Sequence, residues 1–394
     1  MLIHGSASGY GADRQLELIA IGLDGGRFTP LVVVPEAGPL TDRLQDAGVE
    51  VVLEPFPVLR RSLRPADAPR LLRELRRSSR RLSDLATAHR VSLVHTNSSI
   101  VPGGGWTARQ AGVPHIQHVR EIYAGAGGRT GSVAWPAHRR QLLRADALAC
   151  VSTAVARQFG SSPNVRVVYD AIPRRFELPP AREARTALRI ESDTFTVAVV
   201  GRISDWKGQA VLVRALADPL LAEIGAVALV AGAPAPGQER FADEVRELAL
   251  RLGVDERVRL LGFREDISSI LAAADAVAVP STYPDSFPNT VLEAATCGVA
   301  VVAADIGGLP ELVQPGTTGL LVEPGDAHGL AAALRSLADE PERARAYAEA
   351  AAVALEPLSP ERLVAAVHDL YDEVVAVERP TTALLPPRTK AAKA

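Results

Sequence analysis

Ala276-Val-Ala-Val279, Pro280-Ser-Thr-Tyr-Pro-Asp-Ser-Phe-Pro-Asn-Thr-Val-Leu-Glu-Ala-Ala-Thr-Cys-Gly298 and Val299-Ala-Val-Val-Ala303 follow one another without a break. The first and third pieces are short apolar runs of strand length. Between them a polar turn enters a helical pattern whose first turn tolerates Pro288 and whose end is marked by Gly298. Two apolar strands joined by a helix read as parallel neighbours in a sheet covered on both faces.

The same unit recurs outward in both directions. In this half of the chain, apolar runs stand at 196–200, 226–231, 258–260 and 319–322, with helical patterns between them. An earlier series occupies 31–34, 49–53, 92–95, 115–118, 147–151 and 165–168, preceded by a brief Leu2-Ile3-His4 and the loop Gly5-Ser-Ala-Ser-Gly-Tyr-Gly11. Two such series predict an α/β chain of two doubly wound, Rossmann-like domains. The expected division is a first domain at 1–175, a linker at 176–193 and a second domain at 194–360. A C-terminal helix at 361–378, able to pack back on the first domain, and a disordered tail at 379–394 complete it. Ligands of open parallel sheets bind beyond the carboxyl ends of the strands, so two facing domains predict a cleft with loops on each wall.

Composition limits what can bind there. With 394 residues, 47 % of them hydrophobic, the chain can bury two cores, yet no apolar stretch reaches the length of a membrane span. The N-terminus lacks the basic-then-apolar layout of a secretory signal, so a cytoplasmic protein is expected. Its two cysteines, Cys150 and Cys297, stand in no CxxC or Cys/His cluster and read as buried thiols, not metal ligands. The net charge of −3 divides unevenly, +9 over residues 1–175 and −12 over the rest. With aromatic residues at 4 %, this balance argues against a nucleic-acid partner.

The loop quoted first carries the densest chemistry. Backbone N–H groups near Asn289 and Thr290, at the positive end of the helix dipole, form a phosphate site. Glu293 lies one helical turn beyond Asn289, where a carboxylate can accept both hydroxyl protons of a nucleotide ribose. The alternative is a solvated helix charge. In Gly201-Arg202-Ile-Ser-Asp-Trp-Lys207-Gly208, two cations stand at the end of a strand in the acidic half. Arg202 by a forked pair of hydrogen bonds, and Lys207 as a mobile point charge, could clamp a diphosphate. Pairing with Asp205 at the surface is the plainer reading of both.

Gly201-Arg202, Lys207-Gly208, Leu261-Gly262-Phe263, Ala274-Asp275, Pro280-Ser281, Asp285 through Ala294, Gly298 and Gly307-Gly308-Leu-Pro-Glu311 together resemble glycosyltransferase family 4 in order and spacing. The resemblance spans most of the second domain. It implies a GT-B fold, a retaining transfer from a nucleotide-sugar, a UDP- or GDP-sugar first among them, and no tightly bound catalytic metal or other cofactor. It also implies that the first acid of a two-carboxylate motif, here Asp285 where the family has Glu, sits near the donor sugar. In the first domain, the loop containing Gly9 and Gly11 is similar to the family's glycine-rich loop against donor phosphate. His118 resembles a family histidine near the sugar, with Asp285 the second catalytic candidate; a core histidine is the alternative.

The acceptor side is less legible. Nine arginines lie within 60–81 beside leucines at helical spacing, which suits an anionic lipid surface, a phosphorylated acceptor or a solvated face. Arg73, Arg76 and Arg77, with Arg120, are the acceptor or membrane candidates, the latter implying a peripheral place on the inner face of the membrane. Glycines 125, 127, 128 and 131 suggest a loop that orders around a glycan, lipid-linked or small-molecule acceptor. A nucleotide-sugar epimerase on the same fold, or a non-catalytic nucleotide-sugar-binding protein, are the competing functions. Gly103-Gly-Gly105-Trp-Thr-Ala108 formally fits a dinucleotide fingerprint but does not follow the first strand, which weighs against a dehydrogenase.

Overall fold

A computed structural model describes residues 1–23, 25–59, 67–123, 135–171 and 177–376. The arginines at 60, 61 and 64, the glycines at 125–131 and the tail 379–394 lie outside the described residues.

The first unit contains β1 (Leu2–His4), β2 (Leu31–Val34), β3 (Glu50–Leu53), β4 (Val94–Asn97), β5 (His115–Val119), β6 (Ala147–Cys150) and β7 (Val165–Val167). The second contains β8 (Thr196–Val200), β9 (Val227–Ala231), β10 (Val258–Gly262), β11 (Ala276–Val279), β12 (Ala300–Ala304) and β13 (Leu320–Val322). Their sheet orders are β3-β2-β1-β4-β5-β6-β7 and β10-β9-β8-β11-β12-β13, with parallel pairing throughout. Central strands such as Leu31–Val34 and Ala276–Val279 are buried along their whole length, as β-branched runs between two helical layers must be.

Chain direction across each sheet reverses beside its first strand. The crevice between β1 and β4, and that between β8 and β11, are therefore the switch points where loops diverge and ligands fit. β4 extends two residues beyond its apolar run, to Asn97, which pairs with His4 and His118. Hydropathy loses the strand there because its carboxyl end is polar.

The helix Pro360–Ala376 leaves the second unit and packs on the first. Leu363, Val367, Leu370, Tyr371 and Val374 share one buried cluster with Leu16, Ile19 and Ala20 of the helix Gly11–Gly22. A second cluster runs without interruption from Val151, Val155 and Phe159 of the first unit to Phe287, Leu309 and Leu312 of the second. The two units thus share apolar core at the cleft floor, while polar loops meet above it. Cys150 and Cys297 are free and buried, and burial pushes each thiol up to about 12. No helix of the described residues is long and apolar enough to cross a membrane.

Candidate active site

The first wall begins with a buried carboxylate. Asp13 Oδ1 lies 2.7 Å from His4 Nε2, and its Oδ2 accepts from the Gly9 backbone N–H at 2.7 Å and from the Ser6 and Ser8 hydroxyls. Burial opposes the charge on Asp13, but the hydrogen bonds from His4, Gly9 and Ser6 prevail and hold its pKa below the usual carboxylate range. Asp13 thereby fixes the loop that presents Gly9 and Gly11 to the cleft.

On the facing wall two loops interlock. Gly208, at φ +78°, sits where an added Cβ would come 1.8 Å from the Pro280 carbonyl, so only glycine lets the Arg202–Lys207 loop approach the Pro280 loop. That second loop is held from behind by Gly308, whose N–H donates to the Asp285 carbonyl at 2.7 Å. Lys207 Nζ then donates to Asp285 Oδ2 at 2.5 Å, and the ammonium also lies 4.4 Å from the Trp206 ring centroid. Asp285 is buried to 5 % exposure. Lys207 thus pairs with Asp285, not with Asp205, the partner of the plainer sequence reading.

The helix Asn289–Thr296 starts beside this pair. Among the described residues, no hydrogen bond takes up the backbone N–H groups of Asn289 and Thr290, the orphan donors of a helix start. The Thr290 hydroxyl donates to the Val200 carbonyl at 2.9 Å and locks the helix to the end of β8. Asn289 Nδ2 donates to the Gly11 carbonyl at 3.3 Å, joining the two walls. Glu293 is buried, not a solvated helix charge, and burial raises its pKa against the opposing pull of Arg14. Arg202 stacks its guanidinium 4.7 Å from the Tyr10 ring, and Tyr10 meets Phe263 edge-on.

The structure brings Gly9, Gly11, Arg202, Lys207, Asp285, Asn289, Thr290 and Glu293 to one cleft, but corrects two other expectations. His118 is fully buried, stacked on His95 with centroids 5.4 Å apart, and His95 Nδ1 in turn lies 2.8 Å from the Tyr371 hydroxyl. No contact joins it to Asp285. Strand alternation turns the ring inward beneath the C-terminal helix, and desolvation with the nearby Arg120 charge drives its pKa well down, so it is a neutral core histidine. Arg120 is likewise buried, at 8 % exposure: its Nη1 donates to both Asp170 oxygens at 2.6 and 2.7 Å and its Nε to Asn97 Oδ1 at 2.8 Å, while its buried Nη2 has no partner among the described residues. A guanidinium so buried cannot rest on a membrane. Arg73, Arg76 and Arg77 are exposed on the 21-residue helix Ala68–Ala88.

Sequence reasoning gave no role to four residues that hold the site. Asp13 and Arg14 directly follow the glycine loop, and Tyr10 lies inside it, so position alone could have flagged them. Glu311 closes the second unit on the first: its carboxylate accepts from the backbone N–H groups of Thr153 and Ala154 at 2.9 and 2.7 Å and from the Tyr169 hydroxyl at 3.1 Å.

Two facing Rossmann-like units with a C-terminal helix returning to the first define the GT-B architecture. The Anabaena protein HepE, solved with UDP-glucose, superposes with a TM-score of 0.81 at 24 % identity, covering 94 % of this chain and 99 % of that one. In sequence, the family described as glycosyl transferases group 1 matches residues 181–353, and the glycosyl transferase 4-like domain matches residues 11–174. A D-inositol 3-phosphate glycosyltransferase of Saccharomonospora viridis is 33 % identical over 310 residues, 73 % of this chain and 72 % of that protein. One of the same name from Salinispora tropica is 32 % identical over 332 residues, 76 % and 67 % of the two chains. The chain belongs to the group 1, family 4-like glycosyl transferases: it is a retaining glycosyltransferase, and the epimerase and non-catalytic readings fall away.

Proposed function

We propose that the protein transfers a sugar from a nucleotide-sugar, a UDP-sugar first among the candidates, to an acceptor seated between the two units. The observation that carries this is the convergence at one cleft of two cations, a helix start with untaken N–H groups and a buried carboxylate. Each group answers one part of such a donor. Arg202 and Lys207 meet the diphosphate, with the N–H groups of Asn289 and Thr290 and the backbone of Gly11, while the Gly9 N–H stays with Asp13. Glu293 accepts from the ribose hydroxyls. Asp285, one loop earlier, faces the sugar, where a carboxylate offsets positive charge developing at the anomeric carbon. Donor binding draws Lys207 from Asp285 toward the diphosphate, so the same pair serves both ends of the reaction. The solved structure of HepE with UDP-glucose supports a nucleotide-sugar donor.

Because two cations serve the leaving group, the reading needs no resident metal or other cofactor, and turnover should survive chelation. The relatives' name makes a phosphorylated polyol one acceptor class to test. Arg73, Arg76, Arg77 and Arg80 lie exposed beside the 40 % exposed Leu72, and among the described residues none of the four has an acidic partner. This face rests on anionic lipid, placing the protein at the cytoplasmic side of a membrane.

Thermal-shift screening against UDP-, GDP-, TDP- and ADP-sugars tests the donor. A ligand at a hundred times its dissociation constant stabilises by about 2.7 kcal/mol, and the best binder should then yield an α- or β-linked product matching its own anomer. No stabilisation by any of them would overturn the reading.

A further inference from the structure

Glu293 and Arg14 belong to different units, yet they form the only hydrogen-bonded ion pair that the described residues give to the Glu293 carboxylate. Arg14 Nη1 donates to Glu293 Oε1 at 2.9 Å, the acid being 6 % exposed and the arginine 27 %. A carboxylate so buried is costly unless paired, and it would otherwise rotate or take up a proton. Arg14 uses one oxygen only, and Oε2 has no partner among the described residues.

Arg14 is itself well placed. It stands in the first turn of the helix Gly11–Gly22, whose start is pinned on three sides: Asp13 by His4 and Gly9, Gln15 by both backbone groups of Ala171 at 3.0 Å, and Gly11 by Asn289. The guanidinium therefore reaches across the cleft from a rigid base.

We infer that Arg14 is a positioning residue for nucleotide binding: by holding Glu293 through Oε1, it keeps the carboxylate turned so that Oε2 accepts from the ribose diol. The inference rests on the ribose role proposed for Glu293. It makes the first unit part of the nucleotide site, so ribose recognition and the approach of the two units become one event.

The test is calorimetric titration of the full chain and its variants with UDP and with 2′,3′-dideoxy-UDP, which lacks both hydroxyls. Arg14→Met should weaken UDP by about tenfold, the scale of one charge-assisted hydrogen bond, and leave the dideoxy ligand unchanged. Arg14→Lys should recover much of the loss. A structural role alone would weaken both ligands equally, and tighter UDP binding in Arg14→Met would make Arg14 a competitor of the ribose; either result overturns the inference. Glu293→Gln separates this inference from the reading beneath it. If that variant binds UDP normally, the donor-site reading fails and carries this inference with it; if the native chain prefers another nucleoside diphosphate, that nucleotide and its 2′,3′-dideoxy form replace the UDP pair in the same titration. If Glu293→Gln loses UDP while Arg14→Met does not, only the role of Arg14 is wrong.

Discussion

Lys207 and Asp285, 78 positions apart, meet at 2.5 Å between two loops of the second unit. The cation assigned to the leaving diphosphate and the acid assigned to the sugar thus neutralise each other in this structure. On the proposed roles, donor binding exchanges that partnership, since a diphosphate offers Lys207 more negative charge than one carboxylate does.

The two substitutions should fail differently. Lys207→Ala should weaken UDP binding by about tenfold or more. Asp285→Asn should lower turnover with UDP affinity nearly intact. In the double variant the losses should not add, because the residues touch. Steady-state kinetics beside calorimetry on all three proteins checks this; equal loss of UDP affinity in both single variants would refute the division of roles.

Arg202→Ala should raise the Michaelis constant for donor by about tenfold, as one forked phosphate contact disappears. Tyr10→Phe should change little, because the ring face that carries Arg202 is kept. Wild-type kinetics in Arg202→Ala would place the clamp elsewhere.

The buried histidines should set the response to acid. Burial lowers His95 to about 3 and His118 well below its ordinary 6.5. Below pH 6.5 the unfolded chain takes up protons that these rings refuse in the folded state. Their contribution to stability is therefore complete above pH 6.5 and is lost as pH falls toward 3, by up to about 1.4 kcal/mol per pH unit for each ring. Urea midpoints between pH 7 and pH 5 should fall less steeply in His118→Asn than in the native protein. Parallel slopes would show that the ring does protonate when folded.

Glu311→Ala should loosen closure of the cleft without touching the donor's own contacts. The variant removes two backbone hydrogen bonds and one from Tyr169, all across the two units. Small-angle scattering should give a larger radius of gyration, and turnover should fall while UDP affinity holds. An unchanged radius would show that the shared apolar floor suffices for closure.

Replacing Arg73, Arg76 and Arg77 together by alanine should abolish co-sedimentation with vesicles rich in phosphatidylglycerol, and raised salt should do the same to the native protein. Binding indifferent to lipid charge would leave this helix as a solvated face.

Much of this molecule is legible in its sequence. Valine-rich runs alternating with helical patterns predict both parallel sheets, because strand and helix periodicity are local properties of the chain. The loops after β1, β8 and β11 could be read as cleft walls, since a switch point follows from strand order, and Gly9, Gly11, Arg202, Lys207, Asp285, Asn289, Thr290 and Glu293 all lie on or beside them. Folding alone decided which charges meet. Arg14 reaches Glu293 across 279 positions and Glu311 reaches Thr153 across 158, while His118 turns inward and Arg120 pairs with Asp170. Spacing along the chain encodes which residues share a face of one element, whereas such pairings depend on how two separately built units dock. The chemistry of each wall was therefore written in its own segment, and the partners that hold those groups in place were not.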